Sequence, residues 1–174
     1  GTGGVVTLLR QGSTPGSYTR HDLGSGALGS PSSIQIVTLD AGTSPDIVVG
    51  DAGPTGGKVG LLYATGSPSV YTVQTVPMGP GPKVARKVNF NGDGRFDLAA
   101  VSNSSGLLTS ALQNASAVTF GTTREYEVTA YPTSVALGDF DGNGLPDVAA
   151  ADSASGSGTI FLLRNLGGGV LSTE

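Results

Sequence analysis

Apolar residues along this chain come in short runs cut off by glycine, serine and asparagine, and no run sustains a 3.6-residue period. DLAAVS from Asp97 and DVAAAD from Asp147 are too brief for helices. A second set recurs as GVVTLLRQ from Gly4, GKVGLLYA from Gly57, GLLTSALQ from Gly106 and GTIFLLRN from Gly158. Turn residues part these runs at about 8–12-residue spacing, which predicts short strands. Pro31, Pro82 and Pro132 stand 51 and 50 residues apart (82 − 31, 132 − 82), and each opens a further run: PSSIQIVTLD, PKVARKVNFN and PTSVALGDFD. A repeat of about 50 residues predicts stacked units, none of which buries its apolar face alone.

Four strands are expected per unit. In the last unit three of them run from Pro132 to Asp139, Asp147 to Asp152 and Thr159 to Arg164, with a fourth like Ser69 to Val76 or Ala117 to Gly121. Alanines crowd the second strands (Ala99, Ala100, Ala149, Ala150, Ala151), as suits an inner position where sheets approach closely. The fold class expected is all-β, a β-propeller-like array of four-stranded blades with three full repeats and an N-terminal half-blade. One domain over 1–174 is expected, with the half-blade at 4–28 and repeats at about 31–78, 82–129 and 132–174. The half-blade lacks its two inner strands.

The stretch GDFDGNGLPD sets Asp139, Asp141, Asn143 and Asp147 at positions 1, 3, 5 and 9 of a loop, and Asn89, Asn91, Asp93 and Asp97 repeat the spacing one unit upstream. Oxygens at alternate positions of a tight loop suit a hard cation such as Ca²⁺, which takes six to eight of them at roughly 2.3–2.6 Å. Gly144 and Gly94 hold the sixth position, where the chain turns back. An EF-hand is excluded, because position 12 is Ala150 or Ala100 in place of glutamate and no helix flanks the loop. Asp40 and Asp46 in LDAGTSPD keep the same register in a third copy. There Thr38 replaces an acid, Gly42 offers no side chain and Thr43 stands where glycine is wanted, which leaves its metal open. Asp, Asn and Gly also build tight turns with no ion, and the repeat context is what favours the metal reading.

Composition narrows the function further. Twenty-nine Gly, ten Pro and 37% hydrophobic residues describe a turn-rich folded chain. Seven of the 13 acids lie in the three loops, so the net charge of −4 is largely local to them. The nine Lys and Arg are scattered, which argues against nucleic acid. Cysteine is absent and no segment is long and apolar enough to span a membrane. The chain starts at Gly1 with no leader-like segment, an expectation of a mature or trimmed product. With one histidine and no cysteine, nucleophile–base pairs have almost no candidates, and the acids are committed to repeat positions; no enzyme is expected. His21, beside Asp22, reads as a solvated loop residue, and Asp51 and Asp152 read as turn caps.

The segments GDFDGNGLPDVAAADSASGSGTIFLLRN and NFNGDGRFDLAAVSNSSGLLTSALQN resemble FG-GAP/VCBS repeats, the units of integrin α-type β-propellers, and the likeness extends over nearly the whole chain. The resemblance implies that the aspartate-rich loop joins the first two strands of a blade and holds Ca²⁺. Carried over by position, the ligands are Asp139, Asp141, Asn143 and Asp147 with the carbonyl of Leu145, then Asn89, Asn91, Asp93 and Asp97 with the carbonyl of Arg95. It further implies a secreted or cell-surface scaffold for adhesion or recognition, with an extracellular protein or glycan as ligand. Three and a half units fall short of a closed ring, so the expectation is a second copy or the remainder of a longer propeller that completes it, or else an open arc with covered edges. A lectin with sugar sites between blades is the alternative. The absence of Trp and only 6% aromatic residues count against it, whereas tyrosines gathered at one inter-blade groove would count for it.

Overall fold

The computed structural model describes residues 3–53, 57–67, 69–116, 118–121, 123–153 and 158–173, and every regular element among them is a strand. The chain opens with an antiparallel pair, β1 (Gly4–Gln11) and β2 (Tyr18–Leu28). Three four-stranded antiparallel sheets follow. The first holds β3 (Pro31–Val37), β4 (Asp46–Asp51), β5 (Lys58–Ala64) and β6 (Tyr71–Pro77); the second holds β7 (Val84–Val88), β8 (Asp97–Ser102), β9 (Leu107–Ala111) and β10 (Arg124–Glu127). The third holds β11 (Pro132–Gly138), β12 (Asp147–Asp152), β13 (Ile160–Asn165) and β14 (Leu171–Thr173). Strands lie side by side in chain order, so each sheet is an up-and-down blade and the whole is a propeller-like array. No helix among the described residues is long and apolar enough to cross a membrane.

The core lies between sheets. Val6, Leu23 and Leu28 of the opening pair pack against Ile47, Val49 and Leu62. The other face of the same blade sends Val48, Val59 and Leu61 against Ala85, Leu98 and Ala100. Ala99, Val101 and Leu108 then meet Val135, Val148 and Ala150 of the third blade. The second strands of the first two blades are thus covered on both sides, and β4 and β8 are buried at every residue. This explains why they read as continuous apolar runs with no alternation. Alanine at 99 and 100 lets neighbouring blades come close on both faces. Where an innermost strand has no ladder partner, side chains of the preceding blade stand in: Ala85 N–H donates to Ser33 Oγ (3.1 Å) and Lys87 N–H to Gln35 Oε1 (2.8 Å).

Several sequence expectations need adjusting. Pro31 and Pro132 open strands, but Pro82 lies two residues ahead of β7. The fourth strand of the second blade is Arg124–Glu127 rather than 117–121; Phe120 makes only an isolated bridge to Gln113, and Ala117 lies outside the described residues. His21 is no loop residue: it is half-buried within β2, opposite Leu8. Its neighbour Asp22 accepts from Thr7 Oγ1 (2.8 Å) and Arg20 Nε (2.9 Å) on the exposed face, and the Arg20 hydrogen bond holds its carboxyl below the ordinary range. Asp51 accepts from the backbone N–H of Gly29 (2.8 Å) and Ser30 (2.5 Å), and Asp152 accepts from Thr129 Oγ1, so both tie a blade to the segment before it.

Candidate metal centre

Each aspartate-rich loop connects the first and second strands of its blade: 38–46 joins β3 to β4, 89–97 joins β7 to β8, and 139–147 joins β11 to β12. A strand residue of each later blade reaches the loop of the blade before it. Lys87 Nζ of the second blade donates to Thr38 O, and Asn165 Nδ2 of the third donates to Phe90 O (2.8 Å). The loops therefore sit along one side of the array.

Their backbones differ in a way that sorts them. Gly92 and Gly94 have φ of 72° and 82°, and the matching Gly142 and Gly144 have 80° and 84°. The equivalent positions of the first loop are Ala41 and Thr43. Ser69 is the only non-glycine with positive φ among the described residues, so the first loop takes another path. A side chain at those two positions would be strained in the left-handed region.

In the third loop the carboxylates turn inward. Asp139 Oδ1 accepts from Gly142 N–H (2.7 Å) and Asn143 N–H (3.0 Å), and its Oδ2 accepts from Gly144 N–H (2.8 Å). These amide donors, Gly144 foremost, hold its carboxyl below the usual range. Asp141 accepts from the backbone and side chain of Asn143, whose Oδ1 accepts from Leu145 N–H (2.8 Å). One carboxylate oxygen each from Asp139, Asp141 and Asp147 falls within 4.8 Å of the others. No Lys or Arg forms a salt bridge to any of the three among the described residues. Three converging anions without a cationic side chain, held on a loop of fixed shape, fit a divalent cation that takes oxygen ligands.

The second loop meets its charge internally. Arg95 Nη2 lies 2.5 Å from Asp93 Oδ2, and Asn91 Nδ2 donates to the same oxygen (2.8 Å). The backbone N–H of Arg95 is the main cause of the lowered pKa of Asp93. Asn89 Oδ1 accepts from Gly92 N–H (3.0 Å). In the first loop Asp40 Oδ1 accepts from Gly42 N–H (2.7 Å), a local turn with no neighbouring acid at positions 1 or 5.

The ninth-position aspartates have a structural duty that the sequence does not announce. Asp46, Asp97 and Asp147 are all buried. Asp46 accepts from Leu39 N–H (2.6 Å) and Ala64 N–H (2.9 Å), Asp97 from Phe90 N–H (2.8 Å) and Gln113 N–H (2.9 Å), Asp147 from Phe140 N–H (2.9 Å) and Asn165 N–H (2.7 Å). One oxygen thus pins the loop and the other pins the end of the third strand, identically in three blades. Burial pushes the Asp97 carboxyl up against the pull of these amides. Carboxylates have about four lone-pair sites, so Asp147 retains capacity for a further partner. Asn165 is the residue that sequence reasoning missed: fully buried, it bridges Pro146 O (3.1 Å) and Phe90 O (2.8 Å). Only its place at the end of GTIFLLRN, matching Ala64 and Gln113, hinted at a role.

Grooves lie between the blades. One of about 830 Å³ between the second and third blades has Phe161 as its sole aromatic lining residue among those described. Tyrosines are dispersed, with Tyr63 and Tyr71 on the first blade and Tyr126 bonded to Leu171 N–H (3.2 Å) at the second.

Residues 89–150, which run from the second loop through the third, match the family model of the FG-GAP-like repeat. Repeats of this family generally bind Ca²⁺ and typically occur in extracellular or surface proteins as non-catalytic scaffolds. No curated protein sequence matches the chain.

Proposed function

From an FG-GAP-like repeat spanning residues 89–150, we propose that this chain is a Ca²⁺-stabilised, non-catalytic propeller module, extracellular or cell-surface, that presents its rim to a protein or glycan ligand. The observation that carries this is the convergence of Asp139, Asp141 and Asp147 with no salt bridge to a Lys or Arg among the described residues. Asp139, Asp141, Asn143, Asp147 and the carbonyl of Leu145 would hold the ion, which supplies positive charge and ties β11 to β12. A second, weaker site would use Asn89, Asn91, Asp93, Asp97 and the carbonyl of Arg95, with the Arg95 guanidinium as competitor. The first loop would hold none. The units act as a single domain across 1–174.

Carboxylates repel one another until a cation fills the loop, so ion binding adds to folding free energy. For extracellular Ca²⁺ modules with a Kd on the order of 10⁻⁴–10⁻³ M, 10 mM Ca²⁺ stabilises by roughly 1.4–2.7 kcal/mol. At this chain length that raises the melting midpoint by about 3–10 °C over the value in EDTA. Asp141→Ala should remove most of the shift and Asp40→Ala none of it. Equal midpoints for the wild type in EDTA and in Ca²⁺ would refute the reading.

A further inference from the structure

Of the six asparagines in the chain, only Asn91 and Asn143 are followed by glycine. An asparagine in that position is chemically labile, because the next backbone nitrogen can close on its side-chain carbon with no Cβ to hinder the approach. Both lie in the aspartate-rich loops, Asn91 at the third place of the second loop and Asn143 at the fifth place of the third. Their surroundings differ.

At Asn91 the side chain is already folded over the peptide that would react. Its Oδ1 accepts from Asp93 N–H (3.2 Å), which closes a ring containing both Asn91 Cγ and Gly92 N. Gly92 is exposed, so water reaches the turn. Its N–H donates to a neutral amide oxygen, Asn89 Oδ1 (3.0 Å). Asn91 Nδ2 and Arg95 Nη2 share Asp93 Oδ2 (2.8 and 2.5 Å), so a guanidinium stands beside the carboxamide and offsets the charge of Asp93. At Asn143 the balance is reversed. Gly144 N–H is held by the carboxylate of Asp139 (2.8 Å), and Asn143 Nδ2 is held by Asp141 Oδ2 (3.2 Å) and Asn165 O (3.1 Å). No Lys or Arg forms a salt bridge to either acid among the described residues. Ring closure puts negative charge on the side-chain oxygen, which the second loop favours and the third opposes.

We propose that Asn91 is a self-modifying site at which the carboxamide converts to a carboxylate. Gly92 N attacks Asn91 Cγ, the bond from Cγ to Nδ2 breaks, and ammonia leaves with the amide proton. Water then opens the five-membered imide, and opening at the Cγ carbonyl restores the backbone with aspartate at this place. The third loop carries Asp141 at the same place. Conversion therefore raises the carboxylates of the second ligand set from two to three, the number in the third loop, and ligand charge sets much of Ca²⁺ affinity. That consequence rests on the calcium reading, whereas the modification itself does not.

The test holds the 174-residue chain in EDTA, in mildly alkaline buffer at physiological temperature, and follows it by acidic digestion and fragment-ion mass spectrometry. Asn91 should gain the mass that replaces NH2 by OH, at least about tenfold faster than Asn143. In an Asp141→Ala background, where the third loop lacks a ligand, Asn91→Asp should tighten Ca²⁺ binding in calorimetry by about tenfold or more. An Asn91 that stays unconverted, conversion at Asn143 as fast or faster, or an Asn91→Asp chain that binds Ca²⁺ no more tightly in that background would each overturn the proposal. A wild-type chain that converts at Asn91 yet binds no Ca²⁺ would instead refute the calcium reading and leave the modification standing.

Discussion

Replacing Asp97 by alanine is expected to destabilise the chain by on the order of 3 kcal/mol, in EDTA as in Ca²⁺. The side chain is buried, and its two oxygens take the N–H groups of Phe90 and Gln113. Truncation strands both donors away from water, at about 1–3 kcal/mol each. Burial of the charge offsets part of this, since it already pushes the Asp97 carboxyl up. Asp46→Ala should cost a similar amount, although its loop lacks the rest of a ligand set, because Leu39 and Ala64 N–H lose the same acceptors. Asp40→Ala, in the same loop, removes one exposed turn bond and should change stability by less than about 0.5 kcal/mol. Urea unfolding of the three variants separates the two roles. An Asp46→Ala chain as stable as wild type would contradict the structural role of the ninth position.

The second large effect is expected at Phe90. Leu39, Phe90 and Phe140 occupy the same loop position, and each donates its N–H to the buried aspartate of its blade. Phe90 is fully buried between the second and third blades, whereas Phe140 is 54% exposed, with no further sheet packed on it among the described residues. Phe90→Ala should therefore cost about 3–5 kcal/mol, the usual range for emptying an aromatic site in a core. Phe140→Ala should cost less than about 1 kcal/mol, as an exposed ring leaves no cavity. Equal losses at the two positions in thermal or urea unfolding would contradict the order of blades.

The repeat was legible because its markers are independent: the proline steps and the aspartate loops keep a register of 50–51 residues, apolar runs that open on glycine follow at roughly the same interval, and strands β11, β12 and β13 fall where the pattern places them. Strand β10 was not legible. REYE is short and charged, with most of it facing solvent, so hydropathy drew the expectation to 117–121 instead. The dual duty of the ninth aspartate was hidden for a chemical reason, since a carboxylate that accepts amides and one that binds an ion look the same in sequence. One clue was present: Asp46 persists in a loop where Thr38, Gly42 and Thr43 have lost the metal pattern. The exposure of Ile34 and Ile36 could not be read either, because an isoleucine in a strand signals burial by default.

The ion itself is the most direct test. Crystals of the chain grown in millimolar Ca²⁺ and measured at a long wavelength should give the strongest anomalous peak among Asp139, Asp141, Asn143 and Asp147, a weaker one or none beside Asp93, and none at Asp40 and Asp46. A peak at Asp40 and Asp46 with the 139–147 loop empty would contradict the account.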